Sequence, residues 1–261
     1  MSDVTVDAAG RESPAIMVEG VNVRFRDRDG KAVRVLRDLD LEIPMGQFTA
    51  IVGRSGCGKT TLLNVLAGLI EPDSGSAKVL GRAPIAARSH MGFMPARDAL
   101  MPWRSALRNV EYGLELRRIP RAVRRERARQ YLELVGLAHA AQRWPWQLSQ
   151  GMRQRVALAR AWVLEPDVLL MDEPFAALDA QTRESVRDHF VSLLDSGKRC
   201  TVVLVTHDLE EAVILADRIV VLGEGRVIAD MAMSTHRTRN PDELFENAEK
   251  LAILRQLRSL L

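Results

Sequence analysis

Residues 53–61 read GRSGCGKTT and match the spacing G-x-x-x-x-G-K-[ST]. Glycines at 53, 56 and 58 let successive backbone N–H groups wrap a phosphate, while Lys59 reaches the β/γ oxygens and Thr60 presents a hydroxyl to Mg²⁺. Gly53, Arg54, Ser55, Gly56, Cys57, Gly58, Lys59, Thr60 and Thr61 are therefore candidate contacts to a nucleotide's phosphates, with Thr60 also a candidate metal ligand. The flanks agree with this chemistry. QFTAIVG (47–53) reads as a buried strand running into the loop. Leu62, Leu63, Val65, Leu66 and Leu69 follow at helical spacing, with Gly68 near the end.

Three further stretches carry groups suited to the same chemistry. VLLMDEP ends an apolar run in Asp172 and Glu173. Beside a phosphate loop, such a pair can hold Mg²⁺ through Asp172 and orient an attacking water through Glu173. VVLVT (202–206) delivers His207 to another strand's C-terminal end, the edge where open α/β sheets bind ligands. LSQGMRQRVALARA (148–161) is a second anion-facing helix start. Ser149, Gln150 and Gly151 sit where a Ser cap and a glycine can aim N–H groups outward. Why one chain carries two such starts is a question these residues do not answer alone.

The elements that must position these groups follow from pattern. The chain has 261 residues, 47% hydrophobic and 27% charged, with net charge +3. That length suits one large α/β domain, or a core with a smaller lobe. Continuous apolar runs at 168–172 and 202–206 read as central parallel strands, with a helix at about 180–194 between them. IMVEGVNVRF (16–25) alternates as a strand, RDRDGK turns, and VRVL and LDLEI are further strand candidates. Residues 100–165 read as mostly helical and arginine-rich. Within them 120–137 runs from Pro120 to Gly136, with Val123, Tyr131, Leu134 and Val135 expected on one face. RIVVL and RVIAD suggest a hairpin, and 241–261 a terminal helix. Cys57 and Cys200 offer neither disulfide framework nor metal spacing. The first residues lack the basic start and apolar core of a signal peptide, and no run spans a bilayer.

Taken together, the phosphate loop, VLLMDEP, LSQGM and the strand-end histidine resemble the ATP-binding subunit of an ABC transporter, over roughly residues 18–230. The resemblance implies an α/β P-loop NTPase core with a parallel sheet, an N-terminal antiparallel β subdomain and an α-helical subdomain at about 97–165. It implies a tail at 1–15, an ATPase domain at 16–230 and a C-terminal helical tail at 231–261. It also resolves the second helix start. In that family two copies pair head to tail, and the LSQGM segment of one faces the ATP held by the other. Phe25 matches an aromatic that stacks on adenine, and Asp179 an aspartate that touches the opposite subunit's site. Glu173 and His207 become the catalytic pair, His207 contacting γ-phosphate and water. MPWRSALRNV and the short C-terminal tail resemble importer ATPases for nitrate, sulfonate, taurine and bicarbonate. The implied partners are a second copy, integral membrane permease subunits and, through them, a solute-binding protein. The implied place is the cytoplasmic face of the inner membrane, held peripherally.

Two positions depart from the family pattern. LSQGM stands where LSGGQ is usual, although Gly151 is kept. In GFMPARDALMPW (92–103), Ala96 occupies the position of a glutamine that touches Mg²⁺ and couples to the membrane subunit. No shift of register supplies one, since no glutamine lies between Gln47 and Gln130. Three readings of Ala96 stand side by side: a natural variant with slowed or relocated coupling, an engineered substitution, or Arg97 taking over part of the role. Weakened coupling with ATP binding largely intact is the expectation. Nine arginines face three glutamates between Arg104 and Arg129. They read as a solvated helical surface or one near anionic lipid; interleaved aromatics for nucleic acid are lacking. A soluble ABC-type ATPase of translation or repair, or a coupling-defective regulatory subunit, are the alternative functions.

Overall fold

The structure is a computed structural model, describing residues 13–26, 29–195, 200–233 and 247–261. In chain order the strands are β1 (Ile16–Arg26), β2 (Ala32–Ile43), β3 (Phe48–Val52), β4 (Ser74–Val79), β5 (Met91–Met94), β6 (Val168–Asp172), β7 (Thr201–Val205), β8 (Arg218–Gly223) and β9 (Arg226–Ala232). The helices are α1 (Lys59–Leu66), α2 (Pro84–Ala87), α3 (Ala106–Leu116), α4 (Arg121–Leu134), α5 (Gln150–Trp162), α6 (Ala180–Asp195), α7 (Leu209–Leu215) and, after the undescribed stretch, α8 (Ala248–Leu260). The chain forms two compact units, one from residues 1–91 and 199–261, the other from 92–198.

The first unit holds two sheets. In one, β1 lies between β2 and β4 and pairs antiparallel with both, Ile16 opposite Ile43 and Val79. The other runs β7-β3-β8-β9, with β3 parallel to β7 and β8, and β9 antiparallel to β8. Every residue of β3 and β7 is buried, as continuous Val/Ile-rich runs in covered parallel strands should be. Phe48, Ile51, Leu62, Leu63 and Leu66 fill the core beneath α1. Where the sequence suggests two strands at VRVL and LDLEI, a single strand bends through register shifts opposite β1. Ala15, just before β1, is fully buried, and its carbonyl accepts from the Leu80 amide at 2.7 Å. Residues 1–12 of the expected tail, and 241–246 of the expected terminal helix, lie outside the described residues.

In the second unit β5 lies beside β6, and α3, α4 and α5 pack together. The cap residues explain why the helices start where they do. Ser105 Oγ accepts from the Arg108 amide, and Ser149 Oγ accepts from the Met152 amide at 3.2 Å; each satisfies an N–H the first turn leaves over. Pro120, φ −54°, precedes α4 with no side-chain cap. The buried face of α4 is Ala128 and Leu132, continued by Val135. Val123 is 49% exposed, because five residues carry it about 140° round the helix from Ala128. The 100–165 stretch is three helices separated by turns, as its Pro and Gly residues dictate. Trp162 stacks on Phe190 with centroids 4.5 Å apart, and Phe175 leans on the same ring at 6.5 Å.

Candidate functional site

The first unit carries the glycine loop, Phe25 and His207. At Gly58 the backbone is left-handed, φ +109°, and a Cβ would stand 2.9 Å from the Val35 carbonyl. At Gly53 a Cβ would meet the Leu222 carbonyl at 2.3 Å. Neither position can take a side chain without moving backbone. The Cys57 amide donates to the Arg54 carbonyl at 3.2 Å, and the Cys57 carbonyl accepts from Gly225 at 3.1 Å, tying the loop to the β8–β9 turn. Lys59 is buried, its Nζ donating to the carbonyls of Gly53 at 2.6 Å and Arg54 at 3.0 Å, with Cys57 Sγ at 3.8 Å. Helix α1 begins at Gly58 without a side-chain cap, whereas α3, α5, α7 and α8 are each capped by Ser, Asp or Asn. An uncapped N-terminus with a lysine inside the loop is the donor set a polyphosphate needs.

Strand pairing puts His207 on the same sheet edge as this loop. Ile51 of β3 is opposite Val205 of β7, and the Thr206 amide donates to the Ile51 carbonyl at 3.3 Å. Both chains therefore leave the sheet together. Asp208 caps α7 through Oδ1, accepting from Glu210 and Glu211 amides at 3.0 and 3.1 Å. This fixes the corner at which His207 is exposed. Phe25 is 43% exposed opposite Val33 and so is not core material. Arg54 is exposed, and its Nε donates to the Leu261 carbonyl.

The second unit carries Asp172, Glu173, Asp179 and the LSQGM segment. Asp172 ends β6 almost fully buried. Glu173 follows in a left-handed conformation, φ +50°, a state costing a non-glycine residue about 1–3 kcal/mol unless its surroundings hold it. A holder is present. Buried Gln154, on α5, donates through Nε2 to the Glu173 carbonyl at 2.7 Å, and its Oε1 accepts from the Ala177 amide at 2.9 Å. Sequence reading missed Gln154; its only trace was an amide on an otherwise apolar helix face. Asp179 caps the start of α6, accepting from the Thr182 amide at 3.0 Å. Thr182's amide and hydroxyl hold its carboxyl below the usual range, with Arg155 adding a smaller pull. Ser149 and Gln150 are exposed at the start of α5.

The departures also take shape here. Ala96 and Arg97 are both exposed in the loop after β5. Trp144 and Trp146 flank Pro145 just before the start of α5. They stack on each other, centroids 5.1 Å apart and planes 16° off parallel, leaving Pro145 as the buried residue. Trp103 is exposed as well. Arg104 binds Glu115 at 2.7 Å and lies over the Tyr112 ring at 4.9 Å, so part of the arginine-rich surface is internally paired.

Hard oxygen donors and loop amides suit Mg²⁺ with a nucleotide, since Mg²⁺ is commonly held by one or two carboxylates plus substrate phosphates. No cluster of three or more His, Cys, Asp or Glu that could hold a metal ion occurs among the described residues. No helix of the described residues is long and apolar enough to cross a membrane.

Comparison with known proteins bears on the same residues. A family model described as ABC transporter matches residues 36–176. The aliphatic sulfonates import ATP-binding protein SsuB of Mycobacterium avium is 49% identical over 218 residues, 83% of this chain and 82% of that protein. The taurine import ATP-binding protein TauB of Mesorhizobium japonicum is 40% identical over 256 residues, 89% of this chain and 98% of its own. Among solved structures, a dimeric post-hydrolysis state of the ATP-binding cassette MJ0796, bound to ADP and Pi, superposes with TM-score 0.79 at 30% identity. That match covers 85% of this chain and all of the other.

Proposed function

The chain belongs to the ABC transporter family, and on that premise we propose that it binds and hydrolyses Mg-ATP to energise import of a small sulfonate-like solute through separate membrane subunits. The observation that carries the nucleotide half is the uncapped α1 start with Lys59 folded into its loop. The 49% identity to a sulfonate-import ATP-binding protein supports the import half.

Each side chain then has a task. The amides of Gly53–Thr61 and the α1 dipole receive the phosphates. Lys59 exchanges its weak sulfur contact for a phosphate oxygen. Phe25 offers its exposed ring to the adenine. Thr60 and Asp172 would hold Mg²⁺, which would supply positive charge against that developing on the transferred phosphoryl group. Glu173 orients the attacking water, and His207 donates to the γ-phosphate. Ser149, Gln150 and Gly151 face the nucleotide held by a second copy, and Asp179 faces that copy's site. Membrane permease subunits bind the paired chains at the cytoplasmic surface, and a solute-binding protein supplies the cargo. ATP closes the pair and hydrolysis reopens it, a bistable switch of the kind that moves attached domains. The relatives are named import ATP-binding proteins, which gives a soluble translation or repair factor no support.

The test is uptake by vesicles carrying the chain with its membrane subunits. Expected is ATP-dependent accumulation of an alkanesulfonate or taurine, abolished by Lys59→Ala. Hydrolysis without uptake of any sulfonate, nitrate or bicarbonate would overturn the import assignment and spare the ATPase.

A further inference from the structure

The loop that lacks the expected glutamine is not loosely attached. Asp98 Oδ2 accepts from Arg153 Nε at 2.8 Å, and Arg153 Nη1 donates to the Leu148 carbonyl at 3.0 Å, one residue before the Ser149 cap. Arg160 reaches the same loop from two turns further along α5. Its Nη1 donates to the Ala99 carbonyl at 2.8 Å and its Nη2 to the Asp98 carbonyl at 3.0 Å. Ala99 is left-handed, φ +45°, which turns its carbonyl out of any regular element. Asp98 Oδ1 accepts from the Leu100 amide at 3.3 Å, and Asn109 holds the next residue, accepting from the Met101 amide at 2.8 Å. Thus the loop is fastened to α5 at two points a heptad apart, and α5 in turn holds the Glu173 carbonyl through Gln154.

The two fastenings differ in kind. The Asp98–Arg153 ion pair is about a third exposed on each side; on its own such a pair contributes little stability. Its value is geometric, since one guanidinium bridges the loop carboxylate and the carbonyl beside the Ser149 cap. Arg160 is the stronger anchor. Burial lowers its pKa against a smaller opposing pull from Asp98, so losing its carbonyl partners would leave a desolvated charge unpaired.

We propose that Asp98, Arg153 and Arg160 are positioning residues that carry displacement of the 96–103 loop directly to helix α5, and through it to Ser149 and Glu173, giving this chain a mechanical link that does not depend on a glutamine at position 96. The proposal rests on the transport-ATPase reading given above. A partner pressing on the loop moves Asp98 and Ala99. The arginines cannot follow without either breaking charge-assisted bonds or shifting the start of α5.

The test uses the complete transporter with Asp98→Ala, Arg160→Met and the conservative Asp98→Glu, measured beside the isolated chains. Expected is isolated-chain ATPase within about twofold of the original, with permease-stimulated ATPase and uptake reduced about tenfold in Asp98→Ala and Arg160→Met. Asp98→Glu, which keeps a carboxylate facing Arg153 and leaves the Arg153 bond to the Leu148 carbonyl in place, retains most of the stimulation, which a general packing defect would not allow. Unchanged stimulation in both single variants overturns the relay. So does an equal fall in isolated and stimulated turnover that Asp98→Glu shares, because that marks a purely structural role. An original chain that hydrolyses no ATP, alone or in the complex, overturns the transport-ATPase reading and the relay with it.

Discussion

Glu173 is held by its backbone as well as by any partner of its carboxylate. Its left-handed conformation and the 2.7 Å bond from Gln154 to its carbonyl fix where the side chain starts. Gln154→Ala removes both of the amide's bonds and leaves a part-buried carbonyl and a part-buried N–H without them, which costs at most about 1–3 kcal/mol. If Glu173 orients water, kcat should fall about tenfold or more with KM for ATP nearly unchanged, because the phosphate loop is untouched. Steady-state kinetics on a variant shown folded by its melting curve checks this. A proportional rise in KM would place Gln154's effect on nucleotide binding instead. At this scale the sequence was informative wherever function demands a fixed spacing, as at Gly53–Thr61. It was silent where function is served through a fold contact. Nothing in MRQRV announces that Gln154 bridges Glu173 and Ala177, because that contact is made across nineteen and twenty-three residues.

Helices α3 and α5 offer an internal control for what a cap does. Ser105 and Ser149 make the same hydrogen bond to the amide three residues on. Ser105 is buried and Ser149 exposed. Ser→Ala at either cap should cost about 1 kcal/mol, or about 2–4 °C of melting temperature in a chain of this size. Only Ser149→Ala should also weaken ATP-dependent pairing of two copies, read by light scattering. Equal pairing in both variants would reduce Ser149 to a structural cap. Helix α4 carries a pH signature of its own. Burial, assisted by the Glu165 carboxylate and opposed by Arg127, pushes the Tyr131 phenol up to about 12. The unfolded chain loses that proton near 10, so between about 10 and 12 it binds fewer protons than the folded one. Tyr131 therefore contributes fully below that window, and stability falls as pH rises through it. Urea midpoints at about pH 9 and about pH 11 should separate less in Tyr131→Phe than in the original. Element types were readable because buried parallel strands are continuous apolar runs and the cap residues are explicit. The α4 face was misread because Val123 lies off the Ala128–Leu132 stripe, and hydrophobicity alone does not say which stripe the neighbours cover. Short pieces such as β4, β5 and α2 were missed, since four to six residues give no period to read.

For the whole molecule, the two compact units divide the chemistry. One holds the phosphate loop, Phe25 and His207; the other holds Asp172, Glu173, the α5 start and the loop at Ala96. That division was partly legible, because the arginine-rich helical stretch stood out from the strands around it. Its limits were not, since two β-strands and the carboxylates of Asp172 and Glu173 group with the helices by contact, and contact is not a local property of sequence. The same reasoning explains why Ala96 need not silence the chain. A glutamine at position 96 would add one polar contact, while Lys59, Asp172, Glu173 and His207 are present without it. The most direct measurement is Mg-ATP hydrolysis by the purified chain beside Glu173→Gln and Ala96→Gln. The account predicts turnover by the original, a loss of about a hundredfold or more in Glu173→Gln, and little change in Ala96→Gln. An inert original chain that Ala96→Gln restores, or a Glu173→Gln chain as active as the original, would contradict it.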